Sequence, residues 1–125
     1  MSEARKTVFL VDDNETNLLM GKQALAGRYN VITLTSGARL FKALGKITPG
    51  LILLDVEMPE MNGYDVLARL KSEESTAHIP VVFLSAYGNE ETERQAASLG
   101  AADYITKPFS PALLIECVEK HLSAQ

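Results

Sequence analysis

Four short stretches hold the side chains of this sequence with the most chemistry to offer. Asp12-Asp13 follows "TVFLV", Asp55 follows "LILL", Ser85-Ala86 follows "VVFL", and Lys107-Pro108 sits in "YITKPF". Three carboxylates, a hydroxyl and an ammonium group thus stand at the ends of apolar runs. Taken alone, each has an ordinary use: acidic residues favour helix starts, Asp and Ser bond their own loop backbone, and a lysine can be a solvated charge. Taken together they call for compensation, because crowded carboxylates repel one another and demand a cation. Oxygen donors select a hard ion, so Mg²⁺ suits the set better than zinc. His78 and His121 match no zinc spacing and read as plain surface residues. The single cysteine, Cys117, reads as a buried small hydrophobe, since its helical neighbours Ile115, Val118 and Leu122 offer a thiol no partner.

The elements that must position these groups are legible. "TVFLV" (7–11), "NVITL" (30–34), "LILL" (51–54), "VVFL" (81–84) and "DYI" (103–105) read as strands. The first, third and fourth are apolar at consecutive positions, as expected of strands buried on both faces in a parallel sheet. Asn14 predicts a helix over 15–27, Ser36 one over 37–46 and Asn89 one over 90–99. A further helix follows Gly63, with Val66, Leu67 and Leu70 on its inner side, and Ser110-Pro111 opens the last. Gly100 falls where a left-handed cap ends the helix before it. Alternating strands and helices imply an α/β domain with right-handed crossovers. In such open sheets ligands bind outside the carboxyl ends of the strands, where these polar residues stand.

Composition narrows the class. The 125 residues suit a single domain over 1–125, with its core over 7–122. Apolar content of 46% and charged content of 22% are those of an ordinary globular protein. A net charge of -4, with twelve scattered Lys and Arg, argues against direct nucleic-acid binding or an anionic membrane surface. No apolar run approaches a membrane span or a signal-peptide core, and the chain reads as cytoplasmic.

Asp12-Asp13, "LLDVEMPEMNG" around Asp55, Ser85-Ala86 and "YITKPF" around Lys107, in this order and spacing, resemble the receiver domain of two-component response regulators. The resemblance spans Thr7 to Leu122. It implies a flavodoxin-like, doubly wound (βα)5 fold with strand order 2-1-3-4-5, two helices on one face and three on the other. It implies that Asp55 is the phosphoacceptor, taking a phosphoryl group from a sensor histidine kinase or a histidine phosphotransfer protein. Mg²⁺ would be held by Asp13, by Asp12 directly or through water, by Asp55 and by the backbone carbonyl of Glu57. Lys107 and Ser85 would stabilise phosphoryl oxygens, Ala86 would leave room for the group, and Lys107-Pro108 would be a cis peptide. Tyr104 would rotate inward on phosphorylation and remodel the face formed by the fourth helix, fifth strand and fifth helix for a downstream effector. Read without the resemblance, Tyr104 is a half-buried strand aromatic. A phosphorylation-dependent dimer is also open on this reading, as is the choice between a stand-alone regulator and a receiver cut from a larger protein.

Rival classes fit less well. A phosphatase of the haloacid dehalogenase type needs a D-x-D motif after the first strand, and Asp12-Asp13-Asn14 lacks that spacing. A flavodoxin needs a hydroxyl-rich phosphate loop there, where "DDNETN" is acidic. An inert interaction module would not need the full set of site residues. The expected chemistry is self-phosphorylation and self-dephosphorylation, with no turnover of a free substrate. Glu57 adds a fourth acid beside the pocket and is expected to tune metal affinity and aspartyl-phosphate lifetime.

Overall fold

Alternation along each central strand sends neighbouring apolar side chains to opposite faces, so an unbroken apolar run needs a core on both sides. The computed structural model, which describes residues 5–123, has that arrangement. Strands β1 (Thr7–Val11), β2 (Asn30–Leu34), β3 (Leu51–Asp55), β4 (Val81–Ser85) and β5 (Asp103–Thr106) form one parallel sheet in the order β2-β1-β3-β4-β5. Val8, Leu10, Leu51, Leu53, Val82 and Leu84 face one core; Phe9, Val11, Ile52, Leu54, Val81 and Phe83 face the other.

Helices α1 (Glu15–Leu25) and α6 (Pro111–Ser123) cover the first face through Leu18, Leu25, Leu114, Val118 and Leu122. Helices α2 (Gly37–Leu44), α3 (Gly63–Ser72) and α5 (Glu90–Ser98) cover the second through Leu40, Val66, Leu67, Leu70 and Ala96. A short helix, α4 (Glu74–Ala77), follows α3, so the described residues form six helices where five were expected. Its four residues have too little apolar periodicity to betray it in sequence. It is held by Thr76, whose hydroxyl donates to the Leu70 carbonyl at 2.7 Å. The expected fourth and fifth helices are therefore α5 and α6. Among the described residues, no helix is long and apolar enough to cross a membrane.

The helix ends follow from local chemistry. Asn14, Ser36, Asn89 and Ser110 each accept a backbone N–H of the first turn that follows, at 2.9–3.1 Å. Asn62 does the same for α3, accepting from Asp65 at 3.0 Å. Gly100 has φ +98 and ends the turn between α5 and β5. Gly63 is required for a different reason. A Cβ there would lie 2.7 Å from the Asp55 carbonyl oxygen and 2.8 Å from the Val56 Cα. Only glycine lets α3 start this close to the end of β3, which holds Asp55 against the helix.

Candidate functional site

Parallel register turns distant residues into neighbours. Val11 pairs with Leu54 across β1 and β3, so Asp12 and Asp55 leave adjacent strands at the same level. Ser85 pairs with Thr106 across β4 and β5, which brings Lys107 beside the end of β4. The Lys107 N–H donates to the Ser85 carbonyl at 2.7 Å, and the Lys107–Pro108 peptide is cis.

Lys107 then reaches across the strand ends. Its Nζ lies 2.8 Å from Asp55 Oδ1 and 3.0 Å from Asp12 Oδ2. Asp12 also accepts from the Asn14 N–H at 2.9 Å and from Asn17 Nδ2 at 3.2 Å. Asp13 is exposed, and one carboxylate oxygen from each of Asp12, Asp13 and Asp55 lies within 4.8 Å of the others. The pocket therefore holds three carboxylates against one ammonium group.

The electrostatic consequences are visible at each partner. Burial pushes the Asp55 carboxyl up to about 7; the Lys107 hydrogen bond opposes that shift and the neighbouring Asp12 charge adds to it. Burial alone would lower the Lys107 ammonium, but its bonds to Asp55 and Asp12 outweigh that and hold it above its usual value. Asp55 Oδ1 accepts from Lys107 and from the Glu57 N–H at 3.2 Å, whereas Oδ2 is buried with no hydrogen-bond partner. A buried carboxylate oxygen without a partner costs free energy. An oxygen-only set with excess negative charge and one such orphan atom fits a hard divalent cation such as Mg²⁺.

The model of the response regulator receiver domain family matches residues 8–119. The chain belongs to the response regulator receiver domain family. DivK, a polar-differentiation response regulator of Brucella ovis, is 33% identical over 94% of this chain and 96% of its own length. A Vibrio cholerae protein named "Probable cyclic di-GMP phosphodiesterase" is 40% identical over 93% of this chain. This receiver spans only 26% of that relative, so the activity named there is not carried over by the match. Among solved structures, the phosphorylated cyanobacterial phytochrome response regulator RcpA superposes with a TM-score of 0.83 at 33% identity, covering 98% of this chain and 97% of its own. The chemotaxis protein CheY4 of Vibrio cholerae gives a TM-score of 0.89 at 25% identity, covering 95% of this chain and all (100%) of its own. A receiver domain in this fold is a component of two-component signalling.

The remaining site residues add detail that sequence did not supply. This receiver directs the Glu57 side chain away from the acidic cluster. Ser85 Oγ donates to Glu57 Oε2 at 2.6 Å, and the Ala86 N–H donates to Glu57 Oε1 at 2.8 Å. Tyr104 is half-buried, and its hydroxyl donates to the Tyr87 carbonyl and lies 3.3 Å from Thr92 Oγ1. Thr92 belongs to the capping box of α5, so Tyr104 is tied to the start of that helix. A groove of about 320 Å³, lined by Val56, Glu57, Tyr64, Ser85, Tyr87 and Thr92 among others, opens beside it.

Two expectations away from this pocket need correction. His121 is not a plain surface residue: its Nε2 lies 2.9 Å from Asp103 Oδ2, with 17% of the side chain exposed. Cys117 is buried as expected, yet its thiol does have polar neighbours, with Sγ 3.7 Å from the same Asp103 oxygen. The helical spacing of Cys117 and His121 was visible in the sequence; the approach of Asp103 from β5 was not.

Proposed function

We propose that this receiver works as one unit over 1–125, accepting a phosphoryl group on Asp55 from the phosphohistidine of a sensor kinase or phosphotransfer protein. One observation carries the reading: Asp55 is 1% exposed at the end of a central strand, with Lys107 on one oxygen and no partner on the other. In the transfer the N–P bond of the donor breaks and an Asp55 O–P bond forms. The nucleophile needs no general base once ionised; it needs relief from the repulsion between two anions. Mg²⁺, when bound, supplies that relief by charge neutralisation. Asp12, Asp13, Asp55 and the backbone carbonyl of Glu57 are the groups proposed to hold it. Lys107 meets a phosphoryl oxygen through the ammonium that now contacts Asp55.

Ser85 and the Ala86 N–H are the remaining donors for phosphoryl oxygens, and Glu57 already accepts from both. The Glu57 carboxylate therefore competes with the phosphoryl group for the same two donors and must swing out, which its exposed position permits. Glu57→Ala is expected to raise the rate of phosphorylation by small donors about threefold to tenfold. A hydrogen bond to a charged group contributes roughly 1.5–3 kcal/mol, here reduced by solvent screening. The same variant should alter Mg²⁺ affinity and the lifetime of the aspartyl phosphate. Single-turnover phosphorylation and dephosphorylation rates check this, and unchanged values for both would remove Glu57 from the scheme.

Phosphorylation adds roughly -1.5 to -2 charge at the strand ends. Recruiting Ser85 toward the phosphoryl group breaks its bond to Glu57 and vacates space into which Tyr104 can turn, which would free α5 from its tie to Tyr104. A shift from 1:99 to 99:1 needs about 5.5 kcal/mol, which two or three charge-assisted hydrogen bonds can supply. The face of α5, β5 and α6 would then present a changed surface to an effector or to a second phosphorylated copy. The site is proposed to turn over no free substrate, and the protein to act in the cytoplasm.

The test is incubation with acetyl phosphate, with and without Mg²⁺, read by intact mass. A Mg²⁺-dependent gain of one phosphoryl group, released by hydroxylamine as an acyl phosphate, is expected. No gain from several small donors, with no Mg²⁺ binding, would leave an inert module; steady turnover of a phosphate ester would make it an enzyme.

A further inference from the structure

Three side chains with metal-binding chemistry meet at the end of β5 remote from Lys107. Asp103 opens β5, while Cys117 and His121 stand four residues apart on α6 and so share one face of that helix. Asp103 Oδ2 is the common point, 2.9 Å from His121 Nε2 and 3.7 Å from Cys117 Sγ. One donor atom from each residue lies within 4.8 Å of the other two. Tetrahedral zinc ligation, with Zn–S of about 2.3 Å and Zn–N or Zn–O of about 2.0–2.2 Å, sets neighbouring donors roughly 3.3–3.7 Å apart. The Asp103–Cys117 separation already matches that spacing, and the imidazole would need to back away from the carboxylate by about half an ångström.

We propose that Asp103, Cys117 and His121 form a second metal site, separate from the acidic pocket, that takes zinc or a similar borderline-soft divalent cation with water in the fourth position. The donor set selects the ion. One thiolate, one carboxylate and one neutral imidazole carry two negative charges between them, so a divalent ion leaves the half-buried site neutral. Mg²⁺ prefers oxygen donors alone and belongs to the other pocket. The carboxylate is already aimed: Asp103 Oδ1 accepts the Tyr104 N–H at 2.8 Å, which turns Oδ2 toward α6. Cys117 would bind as the thiolate, so metal binding releases its proton. An ion here would fasten β5 to α6 at the residue next to Tyr104, which stiffens the face proposed to meet the effector.

Co²⁺ is the probe, added to the whole protein in the presence of excess Mg²⁺ so that the acidic pocket is filled. A thiolate-to-cobalt charge-transfer band saturating at one equivalent is expected, and Zn²⁺ should abolish it by displacement. Cys117→Ser should lose the band, His121→Asn should weaken binding at least about tenfold, and Asp13→Asn should leave it intact. Both α6 variants should keep the far-ultraviolet circular dichroism of the wild-type protein, which shows that they fold whether or not Asp55 accepts a phosphoryl group. No band at a large excess of Co²⁺, or a band that survives Cys117→Ser, overturns the site and leaves a hydrogen-bonded clasp between β5 and α6.

Discussion

Asp55→Asn is expected to abolish the Mg²⁺-dependent phosphoryl gain while making the metal-free protein more stable. The two effects have one cause. Asp55 is almost fully buried, its carboxyl is pushed up to about 7, and one of its oxygens has no partner. The fold therefore holds a charge where water cannot solvate it, beside a second carboxylate on Asp12. Asparagine keeps the shape and can still accept from Lys107 and the Glu57 N–H, but it carries no charge to bury. Removing that burden should stabilise the protein by roughly 1–3 kcal/mol. For a domain of this size that is a rise in Tm of about 3–10 °C in chelating buffer. An amide is a far weaker nucleophile than a carboxylate, so the phosphoryl gain should vanish. Intact mass and thermal melts on the same sample separate the outcomes. A phosphorylated Asp55→Asn protein would move the acceptor elsewhere, and a lowered Tm would show that the buried carboxylate stabilises the resting fold.

Lys107→Ala should lower the rate of phosphorylation by about 10²–10³, the usual cost of deleting one preorganised donor at a developing charge. It should also destabilise the metal-free protein, in the opposite sense to Asp55→Asn. The Lys107 ammonium bonds both Asp12 and Asp55, and its side chain is only 16% exposed. Without it two buried carboxylates face each other, and breaking such a pair costs roughly 3–5 kcal/mol. Mg²⁺ should restore part of this stability, so the gap in Tm between wild type and variant should shrink as Mg²⁺ is added. Lys107→Arg tests geometry rather than charge. A planar guanidinium cannot place one compact charge between two carboxylates, so only partial rescue of the rate is expected. A rate for Lys107→Ala indistinguishable from wild type would show that the ammonium holds the resting pocket together without touching the transferred group.

The contrast between these variants bears on how the site is built. Removing the acid should stabilise the fold and removing its counter-charge should weaken it, because the pocket is kept anionic for its chemistry at the expense of the fold. Glu57 fits the same pattern. It occupies the Ser85 and Ala86 donors in the resting state, leaving neither donor unbonded before a phosphoryl group arrives.

The two-sided core, the strands and the helix starts could be read from the residues alone, because these are short-range properties. Consecutive apolar residues such as Leu51 to Leu54 demand burial on both faces, and Asn14, Ser36, Asn89 and Ser110 satisfy the N–H groups of the turn that follows. The identity of the acidic pocket was also legible, since its residues all stand at strand ends and strand ends converge in a parallel sheet. Contacts between residues far apart in the chain, with no shared periodicity, emerged only from the folded arrangement. The helix α4 also escaped the sequence, for a local reason: it is held by the Thr76 hydroxyl on the Leu70 carbonyl rather than by an apolar stripe. The direction taken by the Glu57 carboxylate rests on one of those contacts, because it depends on which donors β4 brings within reach. The meeting of Asp103 with Cys117 and His121 is another: α6 sets the helical pair, and the packing of that helix against β5 supplies the carboxylate. The Glu57 and Asp103 contacts are matters of where two elements touch, and that is settled by packing of the whole chain, not by any local stretch of it.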